Sequence, residues 1–310
     1  MTGSNDQMGI LEKAAAHLRL GGLVVVPTET VYGLAADASN ADAVAQIYRT
    51  KGRPDFNPLI VHVPNREAAQ QLGRFNALAQ KLAKKFWPGP LTLVLPKTEQ
   101  CSATIAVTAG LETIAIRCPK HPVMRDLLHE SGLCLAAPSA NKSGGISPTT
   151  ADHVRESLGS HQLMILDGGP CEQGLESTIV AVRESGYQIL RPGPVTKEML
   201  VELTGQKPIK VRDVKIEAPG QLASHYAPSK PVRLNVEHAG PQDYHIGFGD
   251  VSGHLNLSET GDLAQAAANL FAFLHVGDGA EQPRIAVASI PDNGMGQAIN
   301  DRLRRAATPS

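Results

Sequence analysis

Two cations stand one residue apart at Lys51 and Arg53, between a helix-like run and the strand-like run at 58–63. A guanidinium can donate to both oxygens of a carboxylate or phosphate, and an ammonium adds a compact positive charge beside it. Gly52 and Pro54, which interleave with them, end a helix and turn the chain. This spacing is typical either of a solvated surface loop or of a turn that binds an anion, so the other motifs must decide.

A second polar stretch, APSANKSGGISPTT at 137–150, follows an apolar strand-like run and precedes a helix-like one. Small residues let backbone N–H groups approach a ligand, hydroxyls add donors, and a helix N-terminus favours negative charge. An ordinary turn with capping hydroxyls has the same composition, and on chemistry alone both interpretations stay open. The first of them predicts an anion site in this loop.

Further polar side chains stand at the ends of other apolar runs. Thr30 follows one run, Arg117 and Arg191 end two others, and Ser177 begins a fourth. Ligands of open α/β sheets tend to lie beyond the carboxyl ends of strands. We therefore expect these side chains and the cations at 51 and 53 to converge on one polyanion. His62, inside an apolar strand, is equally a core histidine or a site residue.

The standard nucleotide and hydrolase signatures do not occur. The sequence has no G-x-x-x-x-G-K-[ST], no G-x-S-x-G and no H-E-x-x-H, and GFGDVSG at 247–253 is interpreted as a turn. The four cysteines form no C-x-x-C pair and have no histidine at metal-ligand spacing, so no zinc site is expected. Reduced, mostly buried thiols of this kind are typical of a cytosolic protein.

Composition narrows the class of protein further. Of 310 residues, 42% are hydrophobic and 19% charged, and the net charge is −1. These values predict a globular chain and disfavour a protein that mainly coats nucleic acid, although a local basic cleft is compatible with them. With 4% aromatic residues, base-stacking surfaces are scarce. We expect neither a signal peptide in MTGSNDQMG nor a membrane span, because no apolar run approaches ~20 residues.

The elements that must position these side chains follow from hydrophobic periodicity and breakers. Strands are predicted at 23–27, 58–63, 91–95, 113–117, 133–137, 163–167, 177–182 and 188–190, and helices at 7–19, 41–51, up to 86, 121–130, 150–158 and 196–204. Several strands follow one another directly, which favours a twisted, mixed α/β sheet over a purely parallel one.

The composition and hydrophobic periodicity of the chain change after about residue 206. The stretch APGQLASHYAPSKP at 218–231 has no periodicity and is interpreted as part of a linker at 207–231. Strands near 232–236, 244–248 and 284–289 and helices near 259–275 and 296–306 follow it. We predict a first domain at 8–206 and a smaller α/β domain at 232–310.

These motifs together resemble one family. PTETVYGL, KGRPDFNPLIVHV, WPGPLTLVL, TIAIRCPKHP, PSANKSGGISPT, ESTIV and LRPGP resemble the YrdC-like threonylcarbamoyl-AMP synthases in order and spacing. The later stretches APGQLASHYAP and GMGQAINDRLRRAA are similar to the linker and C-terminal domain of the long, two-domain form. The resemblance covers nearly the whole chain. It implies a twisted, mixed α/β sheet with a concave, positively charged cavity.

The resemblance also implies a reaction. It joins L-threonine, bicarbonate and ATP into L-threonylcarbamoyladenylate and pyrophosphate, with Mg²⁺ held mainly through the phosphates. Other proteins, the tRNA threonylcarbamoyl-transferases, then use the adenylate to modify adenosine 37 of tRNAs that read ANN codons. A cytoplasmic location and at most weak contact with RNA are implied as well.

Site residues are carried over from the family motif by motif. The cavity residues implied to be catalytic are Lys51, Arg53, Ser139 and Asn141. Those implied to hold ATP are Arg53, Asn57, Thr113, Ser139, Ser147, Arg191 and, from the linker, Tyr226. Those implied to hold L-threonine are Thr30, His62, Arg117, Ala137 through its backbone, and Ser177. The linker departs from the family at Ala218 and Gln221, where relatives commonly have Ser and Met.

Three other interpretations remain at this stage. A concave basic face could bind double-stranded RNA through its backbone, although the near-neutral charge disfavours it. A carbamoyl-transferring hydrogenase-maturation enzyme would need zinc-finger and acylphosphatase modules, for which this chain has no C-x-x-C and no room. A regulatory protein that uses its C-terminal domain as an interaction surface is the third.

Overall fold

The computed structural model describes residues 3–159, 161–209, 217–219 and 225–308, and within these ranges the chain builds two β-sheets flanked by helices. The helices are α1 (Gly3–Arg19), α2 (Ala41–Lys51), α3 (Arg66–Leu72), α4 (Ala77–Phe86), α5 (Ile105–Thr108), α6 (Pro122–Ser131), α7 (Ala151–Leu158), α8 (Lys197–Thr204), α9 (Leu263–Gly279) and α10 (Met295–Ala306). The strands of the larger sheet are β1 (Val24–Val26), β2 (Gly33–Asp37), β3 (Ile60–His62), β4 (Leu91–Pro96), β5 (Thr113–Arg117), β6 (Leu135–Ala136), β7 (Met164–Ile165), β8 (Thr178–Arg183) and β9 (Gly186–Arg191). The smaller sheet contains β10 (Val232–Leu234), β11 (Asp243–Gly247), β12 (Leu255–Asn256) and β13 (Arg284–Val287).

The larger sheet is mixed and open, as predicted. Its strand order is β7-β1-β2-β6-β3-β5-β4-β8-β9. The pairs β1–β7, β3–β5 and β4–β8 are parallel. The remaining neighbours are antiparallel, including the directly connected pairs β1–β2 and β8–β9. Strands joined by a short connection without a crossover pair in the antiparallel way, which accounts for these two pairs.

Two elements of the larger domain were missed by the sequence-based prediction. Strand β2 reads GLAAD, whose small residues have weak β propensity, and it is a strand because it pairs with β1 on one side and β6 on the other. Helix α5 is a single short turn. The helix predicted near 259–275 begins and ends later in the chain, at Leu263–Gly279. Asp262 sets its start by accepting hydrogen bonds from the backbone N–H groups of Ala264 and Gln265.

The smaller sheet is entirely parallel in the order β10-β13-β11-β12, and helices α9 and α10 beside it contact the first domain. One apolar cluster combines Val31, Ile146 and Leu175 of the larger domain with buried side chains such as Phe271 of α9. Gly174 has φ +66°, and a Cβ there would lie 2.5 Å from backbone atoms of α9. The close approach of α9 to this turn therefore requires glycine.

The linker is described at 217–219 and from residue 225 onward. Ala218 is fully buried beside Ile60 and Ala115 of the larger sheet, and Tyr226 takes a left-handed conformation with φ +63°. Gln221, the other departure from the family pattern, lies outside the described residues. The predicted domain boundaries at 206 and 231 stay predictions.

Candidate functional site

A pocket, called here the central pocket, lies where several strand ends of the larger sheet meet the linker. Every residue predicted to hold threonine lines it, namely Thr30, His62, Arg117, Ala137 and Ser177. Arg53, Ser139, Arg191 and Tyr226 of the predicted catalytic and ATP-binding sets line it as well. The structure thus collects on one surface side chains that are spread over most of the chain.

The junction of Lys51 and Arg53 is shaped by the end of helix α2. Gly52 follows the helix with φ +58°, and its N–H reaches back to carbonyls of the last turn, a C-cap that favours glycine. Lys51 consequently points into the protein and donates from Nζ to the carbonyls of Ser139 at 2.6 Å and Asn141 at 2.5 Å. Three of the four residues predicted to be catalytic are therefore in direct contact.

Arg53, the fourth of these residues, turns toward the start of β3. Its Nε donates to the Asn57 carbonyl at 3.3 Å, and its Nη2 donates to the Pro58 carbonyl at 3.0 Å. The side-chain amide of Asn57 is 1% exposed, and neither its oxygen nor its nitrogen has a hydrogen-bond partner among the described residues. Buried amides normally have such partners, so this one is free to bind a ligand.

Arg191, at the end of β9, provides a third buried cation. Its Nε and Nη2 donate to the Ser177 carbonyl at 3.1 and 3.0 Å, and Nη2 also lies 3.2 Å from the Ser177 hydroxyl. That hydroxyl lies 2.7 Å from Thr92 Oγ1. Backbone contacts of this kind fix the direction of the guanidinium without neutralising it.

Lys51, Arg53 and Arg191 share an unusual electrostatic situation. Each is at most 8% exposed, and within the described ranges none has a carboxylate within 4 Å. Desolvation lowers the pKa of Arg53 to about 10, and desolvation followed by repulsion from Arg53 holds the pKa of Lys51 well below its usual value. Buried charges are normally paired, so this cluster is suited to an anionic ligand.

The other side of the central pocket contains a paired cation. Arg117 Nη2 lies 2.7 Å from Glu29 Oε1, and Arg117 Nη1 donates to Thr30 Oγ1 at 2.8 Å. His62 is the register partner of Arg117 on the neighbouring parallel strand. Burial and then the positive charge of Arg117 lower the pKa of His62 to about 3, so its imidazole is neutral at physiological pH. A guanidinium, hydroxyls and a neutral imidazole are suited to a small polar molecule with a carboxylate.

Three residues predicted to hold ATP are not among the residues that line the central pocket. The first, Ser147, donates a hydrogen bond from its hydroxyl to Glu176, which does line the pocket. Thr113 begins β5, at the opposite end of the strand from Arg117. Asn57 supports Arg53 through its carbonyl. The structure brings Ser147 and Asn57 to the edge of the central pocket, and it does not bring Thr113 there.

The sequence-based prediction missed the acidic residues of the site. Glu29 and Glu176 line or adjoin the central pocket, and each is paired with a buried arginine, Arg117 and Arg302 respectively. Burial alone would raise the pKa of Glu29, but the charge and hydrogen bond of Arg117 and the backbone N–H groups of Glu29 and Lys120 together outweigh burial and lower the pKa. A signal was present: each glutamate stands next to a hydroxyl residue, in PTET and LEST, inside a motif already singled out. A buried arginine needs such a counter-charge.

Within the described parts of the chain, no three His, Cys, Asp or Glu side chains are grouped so that they could hold a metal ion. None of the helices described combines the length and hydropathy that a membrane span requires.

Known families match both parts of the chain. A family model described as "Telomere recombination" (Sua5, YciO, YrdC) matches residues 16–193, and one described as "Threonylcarbamoyl-AMP synthase, C-terminal domain" matches residues 195–308. The threonylcarbamoyl-AMP synthase of Bacillus subtilis is 41% identical over 96% of this chain and 92% of its own length. That of Pyrococcus abyssi is 38% identical over 95% of this chain and 93% of its own.

A solved structure agrees with these sequence matches. The crystal structure of Pyrococcus abyssi Sua5 complexed with L-threonine superposes with a TM-score of 0.86 at 36% identity. The match covers 96% of this chain and 94% of that one. The fold similarity therefore extends over both domains.

Proposed function

This chain belongs to the threonylcarbamoyl-AMP synthase family in its two-domain form, and we propose that its central pocket joins L-threonine, bicarbonate and ATP into L-threonylcarbamoyladenylate and pyrophosphate. The product serves the N6-threonylcarbamoyl modification of adenosine 37 in tRNAs that read ANN codons. The observation that carries the proposal is the cluster of Lys51, Arg53 and Arg191, three buried cations that, among the described residues, are paired only with neutral groups. A triphosphate supplies the negative charge that this cluster lacks.

L-Threonine is assigned to the Arg117 side of the pocket. The Arg117 guanidinium pairs with the amino-acid carboxylate, and Thr30 and the neutral His62 contact the side-chain hydroxyl and the amine. Ser177 and the Ala137 backbone complete this part. A neutral His62 accepts or donates one hydrogen bond without repelling the ammonium or the nearby Arg117, which supports a positioning role over an acid–base one.

The reaction proceeds in two steps. The threonine amine adds to the carbon of bicarbonate, water leaves, and a carbamate forms. A carbamate oxygen then attacks the α-phosphorus of ATP, the bond between the α-phosphorus and the bridging oxygen breaks, and pyrophosphate departs. Carbamate and triphosphate repel each other, so the principal task of the protein is to hold two anions at reacting distance and to stabilise charge on the phosphoryl oxygens. Lys51 and Arg53 are placed for this task, with Ser139 and Asn141 fixing Lys51.

Mg²⁺ enters this proposal as part of the substrate. Because the described residues offer no cluster of metal-binding side chains, the ion is held by phosphate oxygens and water. Asn57, with its unpartnered amide, and Tyr226 of the linker are assigned to the nucleotide. The tRNA threonylcarbamoyl-transferase proteins that consume the adenylate are the proposed partners, with only weak contact to RNA itself.

Pyrophosphate release by the purified full chain tests the proposal. The assay contains ATP, Mg²⁺, L-threonine and bicarbonate, and each is omitted in turn. Release that needs threonine and bicarbonate, with L-threonylcarbamoyladenylate identified by mass spectrometry, is the expected result. Release that ignores threonine, or salt-sensitive binding of RNA without any turnover, would overturn it and favour a nucleotidase or an RNA-binding module.

A further inference from the structure

Arg302 of helix α10 is a fully buried charged side chain that the proposed chemistry does not use. It belongs to the second domain, yet three of its contacts are with the first domain and the linker. Its Nε donates to Glu176 Oε2 at 2.8 Å, and its Nη1 donates to the Pro192 carbonyl at 2.9 Å. Nη1 also lies 2.9 Å from the carboxylate of Asp301, its neighbour on the helix. Its guanidinium carbon lies 5.3 Å from the ring centroid of Tyr226.

Three of these contacts, with Glu176, Pro192 and Tyr226, lead to the central pocket. Glu176 precedes Ser177 and accepts a hydrogen bond from Ser147 on its other oxygen. Pro192 follows Arg191, and Tyr226 is the linker residue assigned to the nucleotide. The contact to Glu176 spans 126 positions of sequence. One side chain thus joins the three segments that surround the nucleotide side of the pocket.

Electrostatics gives the contact a consequence for binding. Glu176 is an anion on the wall of a pocket that must accept a polyanion, and Arg302 and then Arg191 keep its pKa low against the effect of burial. While Arg302 neutralises Glu176, this carboxylate lowers the binding affinity of an anionic ligand only slightly. Without Arg302, an unpaired buried carboxylate would repel the triphosphate and draw Arg191 toward itself.

We infer that Arg302 is a positioning residue through which the second domain prepares the nucleotide side of the active site. It neutralises Glu176 and holds the Tyr226 ring over the pocket. The second domain is then required for catalysis because it supplies this one charge, in addition to covering apolar surface. The inference rests on the proposed function and assigns its C-terminal domain a role.

A double-mutant cycle in the full-length protein tests the inference. Arg302→Met keeps the aliphatic stem and removes the charge, and Glu176→Gln removes the opposing charge while leaving an acceptor for Ser147. We expect Arg302→Met to raise the KM for ATP about tenfold or more, because the unneutralised Glu176 repels the triphosphate, with a much smaller change in the KM for L-threonine. The double variant recovers most of the lost ATP affinity. Arg304→Ala, an exposed arginine on the same helix, is the matched control.

The measured KM values separate a positioning role of Arg302 from a purely structural one. An unchanged KM for ATP in Arg302→Met, or equal rises for ATP and threonine that Glu176→Gln does not rescue, would show a structural role only and overturn the inference. If Arg302→Met does not fold, Arg302→Lys replaces it, with a smaller rise in the KM for ATP that Glu176→Gln again reverses. The wild-type protein is assayed alongside, and if it releases no threonine-dependent pyrophosphate, it is the proposed function that fails.

Discussion

The carboxylate of Glu29 lies 2.7 Å from Nη2 of Arg117, and both residues are 3% exposed. Glu29 also accepts a hydrogen bond from the Lys120 backbone N–H at 3.1 Å. The two ends of this ion pair come from the β1–β2 connection and the end of β5. The pair fixes the guanidinium that the proposal assigns to the threonine carboxylate, so its disruption affects both the stability of the protein and substrate binding.

Glu29→Gln is expected to lower the free energy of unfolding by about 3–5 kcal/mol, because it leaves the charge of Arg117 buried and unpaired. Urea denaturation measures this directly. Glu172→Gln is the matched control, since the contact of Glu172 with Lys120 is exposed and 3.9 Å long, and its loss is expected to change stability by less than about 1 kcal/mol. Equal effects of the two substitutions would contradict the assignment of a buried pair.

Arg53→Ala is expected to lower kcat/KM roughly 10- to 150-fold, which corresponds to the loss of one charged hydrogen bond of ~1.5–3 kcal/mol. Steady-state pyrophosphate release provides the measurement. Arg49→Ala, which removes an exposed arginine from helix α2, controls for a general change in charge. Wild-type kinetics in the Arg53 variant would rule out its proposed role.

Inorganic pyrophosphate is expected to raise the melting temperature of the ligand-free protein. The buried cations Lys51, Arg53 and Arg191 gain a counter-charge in the folded state alone, and a ligand at 100 times its Kd adds about 2.7 kcal/mol of stability. Differential scanning fluorimetry with sodium chloride at matched ionic strength separates binding from screening. A Lys51→Met, Arg53→Met double variant loses the shift; a shift that survives in it would place the anion elsewhere.

Tyr226→Phe tests the linker. The Tyr226 hydroxyl is buried and has no hydrogen-bond partner among the described residues, so its removal costs the ligand-free protein little. If the hydroxyl contacts the nucleotide, the variant binds ATP up to about tenfold more weakly, the equivalent of one hydrogen bond of ~0.5–1.5 kcal/mol. Isothermal titration calorimetry measures the ATP affinity of both proteins. Identical affinities would show that the Tyr226 hydroxyl does not contact the nucleotide.

The contact between the domains is expected to weaken in acid. The rings of His153 on α7 and His275 on α9 stack with centroids 3.9 Å apart. Burial, and then the neighbouring His275, lower the pKa of His153 to about 4, although Glu156 and Asp152 act in the opposite direction. Burial also lowers the pKa of His275, against the effects of the Ser147 carbonyl and Asp278.

The sign of this effect follows from proton linkage. Between pH 4 and the usual histidine value of about 6.5, the unfolded chain binds more protons than the folded one. Stability therefore falls as the pH drops through this window and is not affected by these groups above it. Melting temperatures from pH 7.5 to 4.5 check this, and His153→Gln should flatten the profile more than His129→Gln, an exposed histidine on α6. Parallel profiles would contradict the prediction.

Most of the fold and of the site composition followed from local patterns in the sequence. Apolar runs of three to six residues predicted nearly all strands of the larger sheet, and periodicity predicted the helices that the structure caps with Asn40 and Thr150. The order of motifs identified the family and with it the cations and hydroxyls of the pocket. These features are local because propensity, capping and turn chemistry act over a few neighbouring residues.

The pairing of charges was decided only by the tertiary structure. Nothing near Glu176 in sequence indicates that Arg302, 126 positions away, neutralises it, or that Lys51 has no carboxylate beside it among the described residues. Strand β2 likewise exists because β1 and β6 lie on either side of it. Burial determines whether a charge needs a partner, and burial depends on which distant segments pack together. The sequence alone therefore determined which chemical groups are available, and the packing of the two domains decided which of them remain free to bind a ligand.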